Sequence, residues 1–263
     1  MATISGSHVK RITQVNRALP VEFLAQSKVI RWRSADGLEI EGLLTLPFNY
    51  QSEKKYPLLL MIHGGPPGVF QQNFIGGVNP ISPYFIATSA SHDYAILRCN
   101  VRGSTGYGEN FRTAICYDLG GKDFDDLMAG VDHIIDIGIA DPERLGIMGW
   151  SFGGYLTAWS LSQTDRFKAA SVGAGISDFV SFAGTTDCTE FMPLYCGGEF
   201  WDKLSIYHTR SPICHVNKFS TPTLIQHGEK DVRVPIGQAH QLYHALKQRN
   251  VRLSAPLFPM PAM

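Results

Sequence analysis

The chain reads as an α/β domain: a mostly parallel sheet with helices on both faces. Two observations predict this class. Short apolar runs bounded by turn residues, such as Leu58 to Ile62 and Ala95-Ile96-Leu97, have the length and two-faced hydrophobicity of buried parallel strands. Between such runs lie segments whose apolar residues recur at i, i+3, i+4 and i+7, the signature of an amphipathic helix. Strand–helix alternation sustained over this length buries a parallel sheet between two helical layers.

Taken in order, residues 1–26 are polar and irregular. Val29 to Trp32 and Leu38 to Leu44 then alternate like an antiparallel hairpin around Asp36-Gly37, so the sheet opens with antiparallel strands. Parallel strands follow at Leu58–Ile62, Ala95–Leu97, Leu145–Met148 and Thr223–Ile225. Phe124, Leu127, Met128, Val131, Ile134 and Ile135 form one helical stripe, entered through Asp123, Asp125 and Asp126, which the helix dipole favours there. Ile236, Ala239, Leu242, Tyr243 and Leu246 form another, opened by Pro235. No internal repeat or low-complexity linker interrupts the pattern.

Composition excludes several classes. The 263 residues carry 23 Lys and Arg against 23 Asp and Glu, a net charge of zero, which argues against nucleic acid and anionic membrane as partners. The longest apolar run falls far short of the roughly 18 residues that span a bilayer. The first thirty residues have Lys10, Arg11, Arg17 and Lys28 but no apolar signal core. The five cysteines show no C-x-x-C pairing and fit neither a zinc site nor a disulfide framework. The expectation is a cytoplasmic protein.

Three elements carry chemistry. Gly149-Trp150-Ser151-Phe152-Gly153 ends an apolar strand and leads into the helical Tyr155 to Trp159, the strand–turn–helix context in which a G-x-S-x-G serine is thrust into the open. His63-Gly64-Gly65-Pro66 follows the strand Leu58–Ile62, where a loop N–H at Gly65, joined by that of Phe152, would receive an oxyanion. His63 precedes the serine in chain order, which suits a structural role better than that of catalytic base. His227-Gly228-Glu229-Lys230-Asp231 follows a late strand and offers Asp231 as the acid of a Ser–Asp–His order. Asp231 also reads as a helix N-cap before Pro235.

On these motifs, with Asn100 to Gly108 and Arg210-Ser211-Pro212, the stretch from about Val29 to Phe258 resembles the catalytic domain of the prolyl oligopeptidase family of serine peptidases, in its dipeptidyl-peptidase and acylaminoacyl-peptidase branches. The resemblance implies an α/β-hydrolase fold and hydrolysis of peptide substrates through an acyl-enzyme on Ser151, without a cofactor. It assigns residues 27–263 to that domain and makes 1–26 a remnant of a final propeller strand and linker, with Val9 to Asn16 as the strand. It also implies substrate contacts from Arg233, two residues past the acid, and an apolar wall from Phe191 and Tyr195. Arg233 as a surface ion-pair partner and the two aromatics as core are the plainer alternative.

The family pattern places the triad His some thirty residues beyond the acid. Here Phe258-Pro259 leads to Met260-Pro261-Ala262-Met263, so no triad His and no closing helix are found. His240 and His244 share a helix face that reads as solvated, since two histidines without a third ligand make a poor zinc site. An impaired peptidase is therefore the expectation. The alternatives are a carboxylesterase acting on small esters and a catalytically silent fragment. Peptide preference and oligomeric state stay open.

Overall fold

In the computed structural model, residues 2–5, 8–13, 25–73, 83–255 and 257–258 are described. Strands β1 (Ala2–Ser5) and β2 (His8–Arg11) pair antiparallel as a sheet of their own. The expected strand from Val9 to Asn16 therefore ends at Arg11; Gln14 to Asn16 lie outside the described residues, as do Pro259 to Met263. The main sheet is built from β3 (Ser27–Arg33), β4 (Glu39–Thr45), β5 (Tyr56–Ile62), β6 (Ala95–Asn100), β7 (Ala140–Trp150), β8 (Phe167–Gly173), β9 (Thr223–Gly228), β10 (Leu253–Ser254) and β11 (Leu257–Phe258). Its order is β10-β9-β8-β7-β5-β6-β4-β3, with β11 also on β9. β3–β4 and β4–β6 pair antiparallel, and every pair from β6 to the β10/β11 edge is parallel. The hairpin expected at Asp36-Gly37 is the β3–β4 turn.

Period-two alternation sends side chains to opposite faces of each strand. Leu58, Leu60 and Ile62 of β5, with Leu97 and Ile147, enter one large core. Met61 and Ile96 enter a smaller core on the other face, with Phe70 and Ile86. Helix α1 (Ile86–Ser91) lies against the smaller core, and α2 (Glu109–Thr113) follows β6. Helix α3 (Lys122–Asp136) puts Leu127, Val131 and Ile134 into the large core, the stripe its spacing predicts. Helix α4 (Phe152–Gln163) is buried on every side from Phe152 to Ser162, as a helix against the centre of a sheet must be. Its buried hydroxyls are satisfied within the helix: Thr157 donates to Gly153 O and Ser160 to Leu156 O. Short helices α5 (Phe179–Ala183), α6 (Phe191–Cys196) and α7 (Leu204–Thr209) precede β9, and α8 (Gly237–Gln248) follows it. No helix among the described residues is long and apolar enough to cross a membrane.

The aspartates at the start of α3 are more than dipole partners. Asp126 is fully buried and accepts three hydrogen bonds from Arg102: from its backbone N–H (2.9 Å), Nε (2.9 Å) and Nη2 (2.7 Å). The same guanidinium grips Asp36 of the hairpin turn through Nη1 (2.8 Å) and Nη2 (3.0 Å). This clamp ties the β3–β4 turn, the loop after β6 and α3 together. Arg102 holds the Asp36 carboxyl well below the usual carboxylate range. Asp123 is fully buried, and burial pushes its carboxyl up to about 7.

Candidate active site

In a parallel sheet the loops at the carboxyl ends of the strands converge, and ligands bind there. His63 follows β5, Arg102 follows β6, Ser151 follows β7 and Asp231 follows β9, so each motif residue sits at that end.

Ser151 is the N-cap of α4 at φ 59°, ψ −120°, a conformation a non-glycine residue holds only when its surroundings impose it. Gly153 makes the turn possible, because a Cβ there would stand 2.2 Å from Ile62 O and 2.8 Å from His63 O. The Phe152 N–H lies in the first helical turn, where no intrahelical acceptor is available. Ser151 Oγ makes no hydrogen bond among the described residues.

The His63–Gly65 loop runs directly beside the serine: a Cβ on Gly64 would be 3.3 Å from Ser151 Cβ. Gly65 takes φ +136°, where a Cβ would meet the amides of Pro67 and Gly68 at 2.5 Å. His63 is buried, with Nδ1 donating to Gly64 O (2.8 Å) and Nε2 against Ser104 Oγ (2.9 Å). Burial lowers its imidazole to about 4, so it is neutral at pH 7 and holds the loop.

Ser151, Phe152 and Gly65 open onto one cleft of about 380 Å³, whose other walls are Ile176, Phe182, Cys188, Phe191, Arg233 and Val234. Phe191 is among these walls. Tyr195 does not line the cleft: one turn further along the same face of α6, it is buried in the large core with its ring centroid 4.9 Å from that of Phe191. Arg233 lies on the cleft and also makes the surface ion pair of the plainer reading, with Asp187 (Nε to Oδ1 2.5 Å).

Asp231 is nearly buried. Its Oδ1 accepts the backbone N–H groups of Arg233 (3.0 Å) and Val234 (2.9 Å), a capping geometry that fixes the carboxylate. Its Oδ2 lies 3.8 Å from His227 Nε2. His227 is itself buried; its Nε2 donates to Val234 O (2.6 Å), and burial lowers its pKa. With that N–H engaged, His227 braces the acid loop from beneath. His240 and His244 are exposed on α8 and border a different groove with Ile225, Tyr243 and Ala255. No histidine is hydrogen-bonded to both Ser151 and Asp231 among the described residues. Nor do three or more His, Cys, Asp or Glu side chains gather as a metal site among them.

Sequence reasoning missed Ile176, Phe182, Cys188 and Val234 as cleft walls, since nothing in their spacing distinguishes them from core. It also missed Tyr84, whose hydroxyl lies 3.1 Å from Gly149 O and 3.2 Å from Ser171 Oγ and so steadies the end of β7.

Comparison with known proteins gives a consistent answer. The profile of the Prolyl oligopeptidase family matches residues 82–260. An uncharacterized peptidase of Bacillus subtilis (strain 168), YuxL, is 36% identical over 259 residues, covering 97% of this chain and 37% of its own. The acylamino-acid-releasing enzyme of Arabidopsis thaliana is 36% identical over 212 residues, covering 77% and 27%. Among solved structures, an acylaminoacyl peptidase of Pyrococcus horikoshii superposes with a TM-score of 0.87 at 28% identity, over 98% of this chain and 41% of that one. An acylaminoacyl peptidase in complex with Z-Gly-Gly-Phe-chloromethyl ketone gives 0.86 at 29%, over 97% and 40%. The chain therefore spans about two fifths or less of the length of these relatives.

Proposed function

The chain belongs to the prolyl oligopeptidase family of serine peptidases, and from that premise we propose that it hydrolyses short peptides through an acyl-enzyme on Ser151. The observation that carries this reading is the left-handed turn at Ser151, opening onto a cleft shared with Gly65 and Phe152. Ser151 Oγ attacks the scissile carbonyl, and the N–H groups of Gly65 and Phe152 receive the oxygen as it gains charge. Collapse of the tetrahedral intermediate releases the amine, and water then cleaves the ester to return the serine. Asp231, with Oδ1 held by two backbone N–H groups, keeps Oδ2 for orienting the imidazole that carries the proton. Ile176, Phe182, Phe191 and Val234 favour an apolar residue on the acyl side, and Arg233 meets the peptide backbone. Residues 27–263 constitute the catalytic domain, and 1–26 the end of a preceding one.

The imidazole is the weak point. With His63 and His227 engaged elsewhere and His240 and His244 on another groove, nothing described takes the proton from Ser151. Loss of one triad member leaves only oxyanion stabilisation and binding, so turnover by these 263 residues falls at least about a thousandfold below that of an intact relative.

A fluorophosphonate probe tests the nucleophile, and an acyl-peptide anilide against a short aryl ester tests the reaction. Slow labelling confined to Ser151 and lost in Ser151→Ala is expected. Labelling that persists in Ser151→Ala would remove the assignment. Peptide turnover at the rate of an intact relative would overturn the impairment, and turnover of the ester alone would make the protein an esterase.

A further inference from the structure

Among the described residues, Arg233 is the charged side chain that lines the cleft, and it is not held by the loop that carries it. Arg233 extends from the acid loop, and its side chain is 55% exposed. A long exposed side chain of this kind samples many rotamers unless something fixes it. Asp187, on the segment between α5 and α6, does so from the side: its carboxylate takes Arg233 Nε at 2.5 Å and Nη2 at 3.4 Å. A side-on grip of this kind occupies Nε and one Nη2 proton. Both Nη1 protons and the second Nη2 proton are left over from the five that a guanidinium carries.

Asp187 is itself anchored. Its backbone N–H donates to Val232 O (3.1 Å). The neighbouring Thr186 hydroxyl donates to Arg233 O (2.7 Å) and accepts from Cys188 N–H (3.1 Å). Segment 186–188 and loop 231–234 are thus clasped by main-chain and side-chain bonds, and Cys188, at the end of the clasp, forms part of the cleft wall. The carboxylate is carried on backbone already fixed to the loop that bears Arg233, so only the short Asp187 side chain has to be set for it to reach the guanidinium.

We propose that Asp187 is a positioning residue for substrate: it holds the Arg233 guanidinium at the cleft with its Nη1 edge free to donate to a peptide carbonyl. The proposal rests on the reading that Arg233 meets the substrate backbone. Asp187 acts through Arg233 and touches no reacting atom.

The test is a double-mutant cycle read by equilibrium binding of dansyl-Ala-Phe amide, followed by fluorescence anisotropy at pH 7 and low salt, so that catalytic turnover is not required. Phe191→Ala defines binding at the cleft, and thermal melts confirm that each variant is folded. Asp187→Ala is expected to weaken binding about two- to tenfold, the cost of leaving one rotamer-rich side chain to be ordered by the ligand. In an Arg233→Ala background the same substitution should change nothing, because the residue it positions is gone. High salt should bring the wild type toward Asp187→Ala, since this pair is exposed to screening. Equal weakening in both backgrounds would show that Asp187 only braces the loop and would overturn the proposal. No weakening, or tighter binding, in Asp187→Ala would overturn it too. If the wild type does not bind the peptide, or Phe191→Ala leaves binding intact, it is the reading of the cleft that fails.

Discussion

The Arg102 clamp gives the sharpest stability prediction, because its two carboxylates differ most in burial; Asp36 also accepts the Leu38 N–H (3.2 Å) and lies 3.5 Å from Lys122 Nζ. Asp126 is fully buried and takes three hydrogen bonds from Arg102, whereas the Asp36 side chain is 35% exposed and takes two. Asp126→Ala leaves a guanidinium that is itself only 4% exposed, with half its counter-charge gone. Removing one partner of a buried pair costs about 3–5 kcal/mol, and the surviving Asp36 puts this case near the lower end, about 3 kcal/mol. For a domain of this size that is a fall in Tm of roughly 6–12 °C. Asp36→Ala removes a partner that water replaces, so its cost is at most about 1 kcal/mol. Urea unfolding followed by circular dichroism measures both. Pairs of equal cost, or Asp126→Ala within about 1 kcal/mol of wild type, would refute the argument that burial sets the difference. Ser104, two residues past Arg102, holds His63, so the Asp126 variant should also lose order in the loop beside Ser151.

Two further outcomes are expected. Gly153→Ala places its methyl 2.2 Å from Ile62 O, a backbone atom that cannot rotate away, so it should cost about 1–3 kcal/mol or more and lower probe labelling of Ser151; Gly184→Ala, with nothing nearer than 3.9 Å, should be harmless. Asp123 has a folded pKa of about 7 against 3.8 unfolded, so the native state holds the extra proton in between and stability falls as pH rises from about 4 to 7. Asp123→Asn cannot ionise, so its stability relative to wild type should rise across that window and level off above it; the same difference at pH 5 and pH 8 would sink this account.

How much of this was legible in the sequence depended on whether the signal was local. The strands at Leu58 and Leu145 announced themselves through apolar runs, and the α3 stripe through its spacing, because burial on a sheet or helix face imposes a period. The Ser151 elbow was legible because its glycines fall at fixed spacing around the serine: Gly149 is demanded by the backbone of Gly153 within the same strand–turn–helix, and Gly153 by the neighbouring strand at Ile62 and His63. The clamp was not: Asp126 and Arg102 are 24 residues apart, and dipole preference accounted for an aspartate at that position equally well. Tyr195 was misplaced on the cleft wall for a related reason. How far along α6 the cleft wall extends is decided by tertiary packing: Phe191 opens onto the cleft, while Tyr195, one turn on along the same face, is buried against the Phe191 ring.

The acid loop shows the same limit from the other side. Asp231 was open to two readings, catalytic acid or cap, and the geometry shows why they do not compete. A carboxylate has two oxygens, and here Oδ1 accepts the N–H groups of Arg233 and Val234 while Oδ2, 3.8 Å from His227 Nε2, makes no hydrogen bond among the described residues. Capping is what immobilises the acid. An aspartate free to rotate would have to be ordered during each encounter with an imidazole, at a cost in side-chain entropy that the capped one has already met on folding. His227 contributes to the same end, since its bond to Val234 O closes the loop from the core side. The features that make Asp231 look structural are therefore the ones that would fit it to act as the acid, and its role turns on what meets Oδ2.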